Sequence, residues 1–108
     1  VRLSEIDAPE INQRFGTESK NFLASLILNK EIELIYITED RYGRIVAKIY
    51  KDNKDINRSM VRSGLAWVYD YYVEDQSLYN DQNLAKKNSF NIWSEASPTP
   101  PWVFRRSN

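Results

Sequence analysis

"IELIYITEDRYGRIVAKIY", residues 32–50, decides the fold class. Over 32–37, Ile32, Leu34 or Ile35, and Ile37 alternate with Glu33 and Tyr36, the period-two pattern of a strand. "EDRYGR" at 39–44 supplies the turn residues Asp40 and Gly43, and "IVAKIY" at 45–50 reads as the returning strand. A hairpin therefore occupies the middle of the chain. Toward the N-terminus, residues 1–6 read as a strand and 7–15 as a loop. A helix follows from Gly16 and Thr17, with Phe22, Leu23, Leu26 and Ile27 at helical spacing and Lys20 and Asn21 on the other face. Toward the C-terminus, "KDNKD" at 51–55 is a second polar turn. Asp55 is placed to N-cap a short helix, "INRSMVRSG", with Gly64 at C′, where φ is often positive. "LAWVYDYY" at 65–72 reads as extended. Residues 76–89 read as a helix, although Gln82 interrupts its apolar row. Residues 97–108 form a Pro-rich tail, with three prolines in four positions, expected to be irregular. Strands and helices do not alternate regularly, and there is no internal repeat. The expectation is one α+β domain over residues 1–108.

Composition narrows the chemistry. Hydrophobic residues make up 42% and aromatics 13% of the 108, which is globular and not disordered. There are no cysteines and no histidines, which excludes disulfides, thiol nucleophiles, imidazole bases and nitrogen or sulfur metal sites. Any catalysis must use carboxylates, Arg, Lys, Tyr, hydroxyls or a metal held by oxygen. Fifteen basic and fifteen acidic residues cancel, so phosphate recognition should be local and not a basic coat. No apolar run approaches a membrane span, and no signal peptide is visible. The chain opens inside a strand-like pattern, so further residues are expected upstream of Val1.

The opening stretch "RLSEIDAPEI", residues 2–11, is the one most suited to chemistry. Asp7 and Glu10 lie three apart across Pro9, and a proline turn can aim both carboxylates at one point. That suits a hard cation taking oxygen ligands, or one carboxylate on metal while the other handles a water. Arg2 stands on the strand that leads into this loop, and Arg41 and Arg44 bracket Tyr42 and Gly43 in the hairpin turn. Guanidinium groups grip phosphate oxygens bidentately and stay charged at any working pH. Tyr69, Tyr71 and Tyr72 could stack on a nucleobase. Taken singly, each of these has a plainer reading as a solvated loop, a surface arginine or a half-buried aromatic. Trp67, Trp93 and Trp102 read as packing residues. Together, arginines and paired carboxylates without histidine make a kit for phosphodiester hydrolysis.

"VRLSEIDAPE" at 1–10, "DRYGR" at 40–44, "MVRSGLAWVY" at 60–69, "NIWS" at 91–94 and "PWVFRR" at 101–106 resemble, in order and spacing, the staphylococcal nuclease (thermonuclease) family. The resemblance covers essentially the whole chain. It implies a five-stranded OB-fold β-barrel with about three packed helices, and Ca²⁺-dependent cleavage of DNA and RNA leaving 3′-phosphate ends. By position it makes Arg2 and Arg44 the catalytic arginines and Glu10 the general base or water-orienting group. Asp7 becomes a metal ligand, and Ala8 lends its backbone carbonyl where a threonine stands in the family. Tyr42 and Arg41 fall near the bound nucleotide. Tyr72 falls near a base-stacking tyrosine, with Tyr69 or Tyr71 as alternatives. One departure matters: the family's other metal-binding aspartate lies in an upstream "DGD" stretch, before Val1. The expectation is an N-terminally incomplete barrel with weak metal affinity, whose open N-terminal strand invites self-association. The resemblance also implies export, secreted or periplasmic. The competing reading is a non-catalytic nuclease-like module binding nucleic acid or protein.

Overall fold

The computed structural model describes residues 2–107; Val1 and Asn108 lie outside the described residues. The opening strand is not continuous. A turn at Ser4 and Glu5 splits it into β1 (Arg2–Leu3) and β2 (Ile6–Asp7), with Glu5 in the left-handed region at φ 66°. Glu5 is held there by distant partners. Its Oε1 accepts the N–H groups of Glu74 (2.8 Å) and Asp75 (2.7 Å), and Lys48 Nζ lies 3.3 Å from its Oε2. The kink sends the two halves to different partners. β1 joins a four-stranded sheet, whereas β2 pairs with a strand from the middle of the chain.

Helix α1 (Gly16–Ile27) follows the loop, as its apolar spacing predicts. The hairpin is formed by β3 (Glu33–Glu39) and β4 (Ile45–Lys51), with a register shift between Tyr36 and Thr38 that marks a bulge. β4 is the hub of the sheet. It pairs antiparallel with β3 and with β5 (Lys54–Asp55), and parallel with β1, Arg2 opposite Val46 and Leu3 opposite Ala47. Helix α2 (Ile56–Arg62) starts where expected: Asp55 Oδ1 accepts Arg58 N–H at 2.9 Å. Gly64, at C′, has φ 76°, and a Cβ there would meet Phe90 O at 2.3 Å. The extended 65–72 segment contracts to β6 (Trp67–Val68), paired antiparallel with β2.

Helix α3 (Leu78–Lys87) buries Leu78, Asp81, Gln82 and Ala85. The polar interruption has a purpose: Gln82 Oε1 accepts Val68 N–H at 2.8 Å, satisfying a buried backbone donor of β6. A single 3₁₀ turn covers Asn91–Ser94. The Pro-rich tail is not irregular throughout. Residues Pro101–Arg106 form α4, with proline at its first position, where the missing N–H costs nothing and the fixed φ suits the helix.

The main core cluster is Ile6, Met60, Val61, Leu65, Ala66, Val68 and Leu78, with Phe15, Phe22 and Leu23 against it. Each large apolar side chain buried there contributes about 1.5–3 kcal/mol. Asn57 is buried among the strands: its Oδ1 accepts Ile49 N–H at 3.3 Å, and its Nδ2 donates to Ser4 O at 3.1 Å and Ala47 O at 3.3 Å. It thereby locks β1 onto β4 beside α2. β1 is half-buried against β4, and the most open strand is β3, exposed along its whole length. The described residues are α+β, with four α-helices where about three were expected, and their strands form no closed barrel. No described helix is long and apolar enough to cross a membrane.

Candidate active site

Asp7 ends β2 opposite Trp67 and is buried. Pro9 stops the ladder, and Glu10 opens a tight turn. Gln13 N–H donates to Glu10 O at 2.8 Å, and Gln13 Oε1 accepts Glu10 N–H at 3.1 Å. Gly16 N–H donates to Gln13 O at 2.9 Å. The start of α1 passes so close to this turn that a Cβ on Gly16 would lie 1.8 Å from Glu10 O. Only glycine allows the approach, so the helix sets where Glu10 stands.

As the proline turn predicts, the two carboxylates meet at one point. What meets them is Arg105, from the last turn of α4. Its Nη1 donates to Asp7 Oδ1 at 3.1 Å and Glu10 Oε1 at 2.8 Å, and its Nη2 donates to Asp7 Oδ2. The hydrogen bonds to Asp7, and then to Glu10, push the guanidinium further above its ordinary pKa, against the opposing effect of partial burial.

Arg2 lies over the Tyr69 ring, with its Cζ 5.3 Å from the centroid. Trp102 of α4 also stacks on that ring, at 5.2 Å and 9°. Tyr72 and Tyr71 stand edge-on to Tyr69 at 5.1 and 5.8 Å, and both are largely exposed. The tryptophans behave as packing residues: Trp67 meets Trp93 at 4.5 Å and Trp102 at 5.7 Å.

The third group is the hairpin tip. Asp40 Oδ1 accepts the N–H groups of Tyr42 and Arg44, both at 2.9 Å, and Arg44 Nε donates to Asp40 Oδ2 at 2.8 Å. Desolvation pushes the Asp40 carboxyl up. The Arg44 and Tyr42 N–H groups and the guanidinium outweigh it and hold the carboxyl below its usual range. The exposed Tyr42 ring lies near two cations, with Arg41 Cζ at 5.2 Å and Arg44 Cζ at 5.5 Å. Pairing relates this tip to β1 along the chain: Arg2 stands opposite Val46 of β4, and Arg44 lies in the tip just before that strand begins at Ile45. Among the described residues, no hydrogen bond or ion pair joins the hairpin tip to Asp7 or Glu10.

The described residues contain no group of three or more His, Cys, Asp or Glu able to hold a metal ion. Two carboxylates that already converge on one positive group, with the half-buried Ala8 between them, do fit a hard cation whose remaining ligands are water or phosphate oxygens. Sequence reasoning missed Arg105, Trp102 and Gln13 as parts of this site. Arg105 had a weak signal, an arginine pair in a segment dismissed as tail. Gln13, whose Nε2 also donates to Thr99 O at 2.7 Å, had none.

The staphylococcal nuclease homologue family matches residues 1–95. The chain belongs to that family. Three relatives show how far the likeness runs. An uncharacterized endonuclease of Escherichia coli is 42% identical over 106 residues, covering 97% of this chain and 69% of that protein. A micrococcal nuclease of Shigella flexneri is 34% identical over 119 residues, covering all of this chain and 68% of that protein. A staphylococcal-like nuclease of Arabidopsis thaliana is 35% identical over 107 residues, covering 99% of this chain but 33% of that protein. The match to the nuclease family ends before α4, the helix that supplies Trp102 and Arg105.

Proposed function

We propose that the protein is a Ca²⁺-dependent endonuclease that hydrolyses phosphodiester bonds of DNA and RNA, with its sheet forming part of an OB-type barrel. The observation that carries this reading is the convergence of Asp7 and Glu10 on a single cationic point. Family membership and relatives named endonuclease and micrococcal nuclease support it.

In this mechanism Asp7, with the Ala8 carbonyl, would hold the cation, which when bound would supply Lewis-acid polarisation of a phosphate oxygen. Glu10 orients a water and takes its proton as the oxygen attacks phosphorus. Arg2 and Arg44 take the other phosphate oxygens and offset the negative charge that grows as phosphorus becomes five-coordinate. The P–O5′ bond breaks, the 5′-oxygen leaves with a proton from solvent, and the phosphate stays on the 3′ end. Tyr42 and Arg41 flank the nucleotide, and Tyr72, Tyr69 or Tyr71 offers a face to a base. The non-catalytic alternative is weaker because Arg2, Asp7, Glu10 and Arg44 are all present in this chain.

The test is cleavage of single-stranded DNA and RNA with Ca²⁺, with EDTA, and with Ca²⁺ restored. Chelation should abolish cutting reversibly. Glu10→Gln should slow the single-turnover rate while leaving nucleotide affinity nearly intact, since a water-activating group acts mainly in the transition state. Full activity in chelator would sink the metal assignment, and an unchanged rate in Glu10→Gln would sink the role of that residue.

A further inference from the structure

Arg105 stands at the point on which the acid pair converges, and it comes from a helix beyond the residues matched by the nuclease family. Its guanidinium engages both oxygens of Asp7 and one of Glu10. Two carboxylates aimed at one point repel each other unless a positive charge lies between them. A divalent cation bound by the same oxygens would meet the guanidinium as a like charge at contact distance. Like-charge repulsion sets the two against each other at the Asp7 carboxylate.

The anchoring of α4 lets one leave without the other being lost. Pro101 is buried, and Trp102 is stacked on Tyr69, so the helix stays seated by its first turn. Arg105 lies in its last turn with a long side chain 38% exposed, so it can rotate into solvent without undocking the helix. We propose that Arg105 is an internal counter-cation. It holds Asp7 and Glu10 together in the metal-free protein and competes directly with the divalent cation for them. It is a positioning residue, and its effect is to set the cation concentration at which the nuclease becomes competent. The inference rests on the reading that Asp7 and Glu10 are cation ligands.

The test is calorimetric Ca²⁺ titration of the wild-type protein and Arg105→Gln, with thermal denaturation of both in EDTA and in saturating Ca²⁺. Removing the competitor should tighten Ca²⁺ binding about tenfold, the scale of one charged hydrogen-bonding group. In EDTA the variant should melt several degrees lower, and saturating Ca²⁺ should close that gap. A purely structural arginine would lower stability in both conditions and leave the Ca²⁺ affinity unchanged or weaker, which would overturn the proposal. Arg105→Lys keeps the charge but loses the two-pronged grip. It should bind Ca²⁺ more tightly than wild type by a smaller factor, and no gain there would count against the proposal even if Arg105→Gln fails to fold in chelator. If neither wild type nor variant binds Ca²⁺ at millimolar concentration, the cation reading itself falls, and this inference with it. Equal binding by both removes this inference alone.

Discussion

Gly16→Ala should disable the site from outside it. The added Cβ would lie 1.8 Å from Glu10 O, 2.7 Å from Glu10 C and 2.9 Å from Ile11 Cα, all backbone atoms that cannot rotate away. A relaxed carbon–oxygen contact is about 3.3 Å, so the Glu10 turn and the start of α1 must separate by about 1.5 Å. That movement strains the Gln13–Glu10 hydrogen bonds at 2.8 and 3.1 Å, which fix the turn. A misplacement of about 1 Å in a catalytic group costs on the order of 10²-fold in rate. Forcing an extra carbon into a filled site costs about 1–3 kcal/mol, and each kcal/mol lowers Tm by about 4–8 °C in a domain of this size. Single-turnover cleavage of a short oligonucleotide, with a melting curve on the same preparation, measures both. The expected pattern is a rate loss of about two decades with nucleotide affinity nearly kept, because the hairpin tip is untouched. Thr17→Ala, one exposed position along, should match wild type. A Gly16→Ala protein with wild-type rate and wild-type Tm would refute the claim that α1 sets the position of Glu10.

Arg2→Ala and Arg44→Lys should each lower the cleavage rate by about 10²–10³, because one charge-stabilising donor is lost or its two-pronged geometry is; near-normal rates would return both to ordinary surface roles. Desolvation raises the Glu5 carboxyl, but the Asp75 and Glu74 N–H groups and Lys48 outweigh it, so the folded pKa is depressed. Its contribution is therefore full above the unfolded value of about 4.3 and is lost as pH falls through the folded pKa. Melting temperature against pH should drop in that acid window for wild type and run flatter, from a lower start, for Glu5→Gln. Burial and the Asp70 hydrogen bond push the Tyr79 hydroxyl up to about 12. Ultraviolet titration should show one late tyrosine phase, absent in Tyr79→Phe.

Legibility in the sequence followed the distance between cause and effect. The cap at Asp55, the glycine at position 64 and the turn at 40–43 act within a few residues, and the sequence places them correctly. The break in the opening strand was not legible. Glu5 adopts a left-handed conformation because its carboxylate is bound by N–H groups at 74 and 75 and by Lys48, none of which a local pattern can register. Gln82 looked like a flaw in a helix until Val68 supplied the buried donor it serves. The acid pair could be read because Asp7 and Glu10 lie three apart around a proline. Its guanidinium could not, because Arg105 sits 98 residues from Asp7 in a segment whose prolines argue for an irregular tail. Proline at the first position of a helix and proline in a loop look alike in sequence. The difference is the aromatic packing of Trp102, which is tertiary.

That long separation bears on the order in which the protein is made. The contact between Asp7 and Arg105 closes a loop of 98 residues, and Gln13 to Thr99 closes one of 86. Local elements such as α2 and the hairpin can form while synthesis is under way, whereas contacts of large sequence separation must wait for both partners. The ribosome must release Arg105 before the acid pair acquires its guanidinium, so a nascent chain exposes Asp7 and Glu10 as bare carboxylates until the last turn of α4 emerges. The entropy of closing so long a loop grows only slowly with its length, by about 0.6 kcal/mol per doubling. What delays the clamp is the arrival of the partner and not the cost of reaching it.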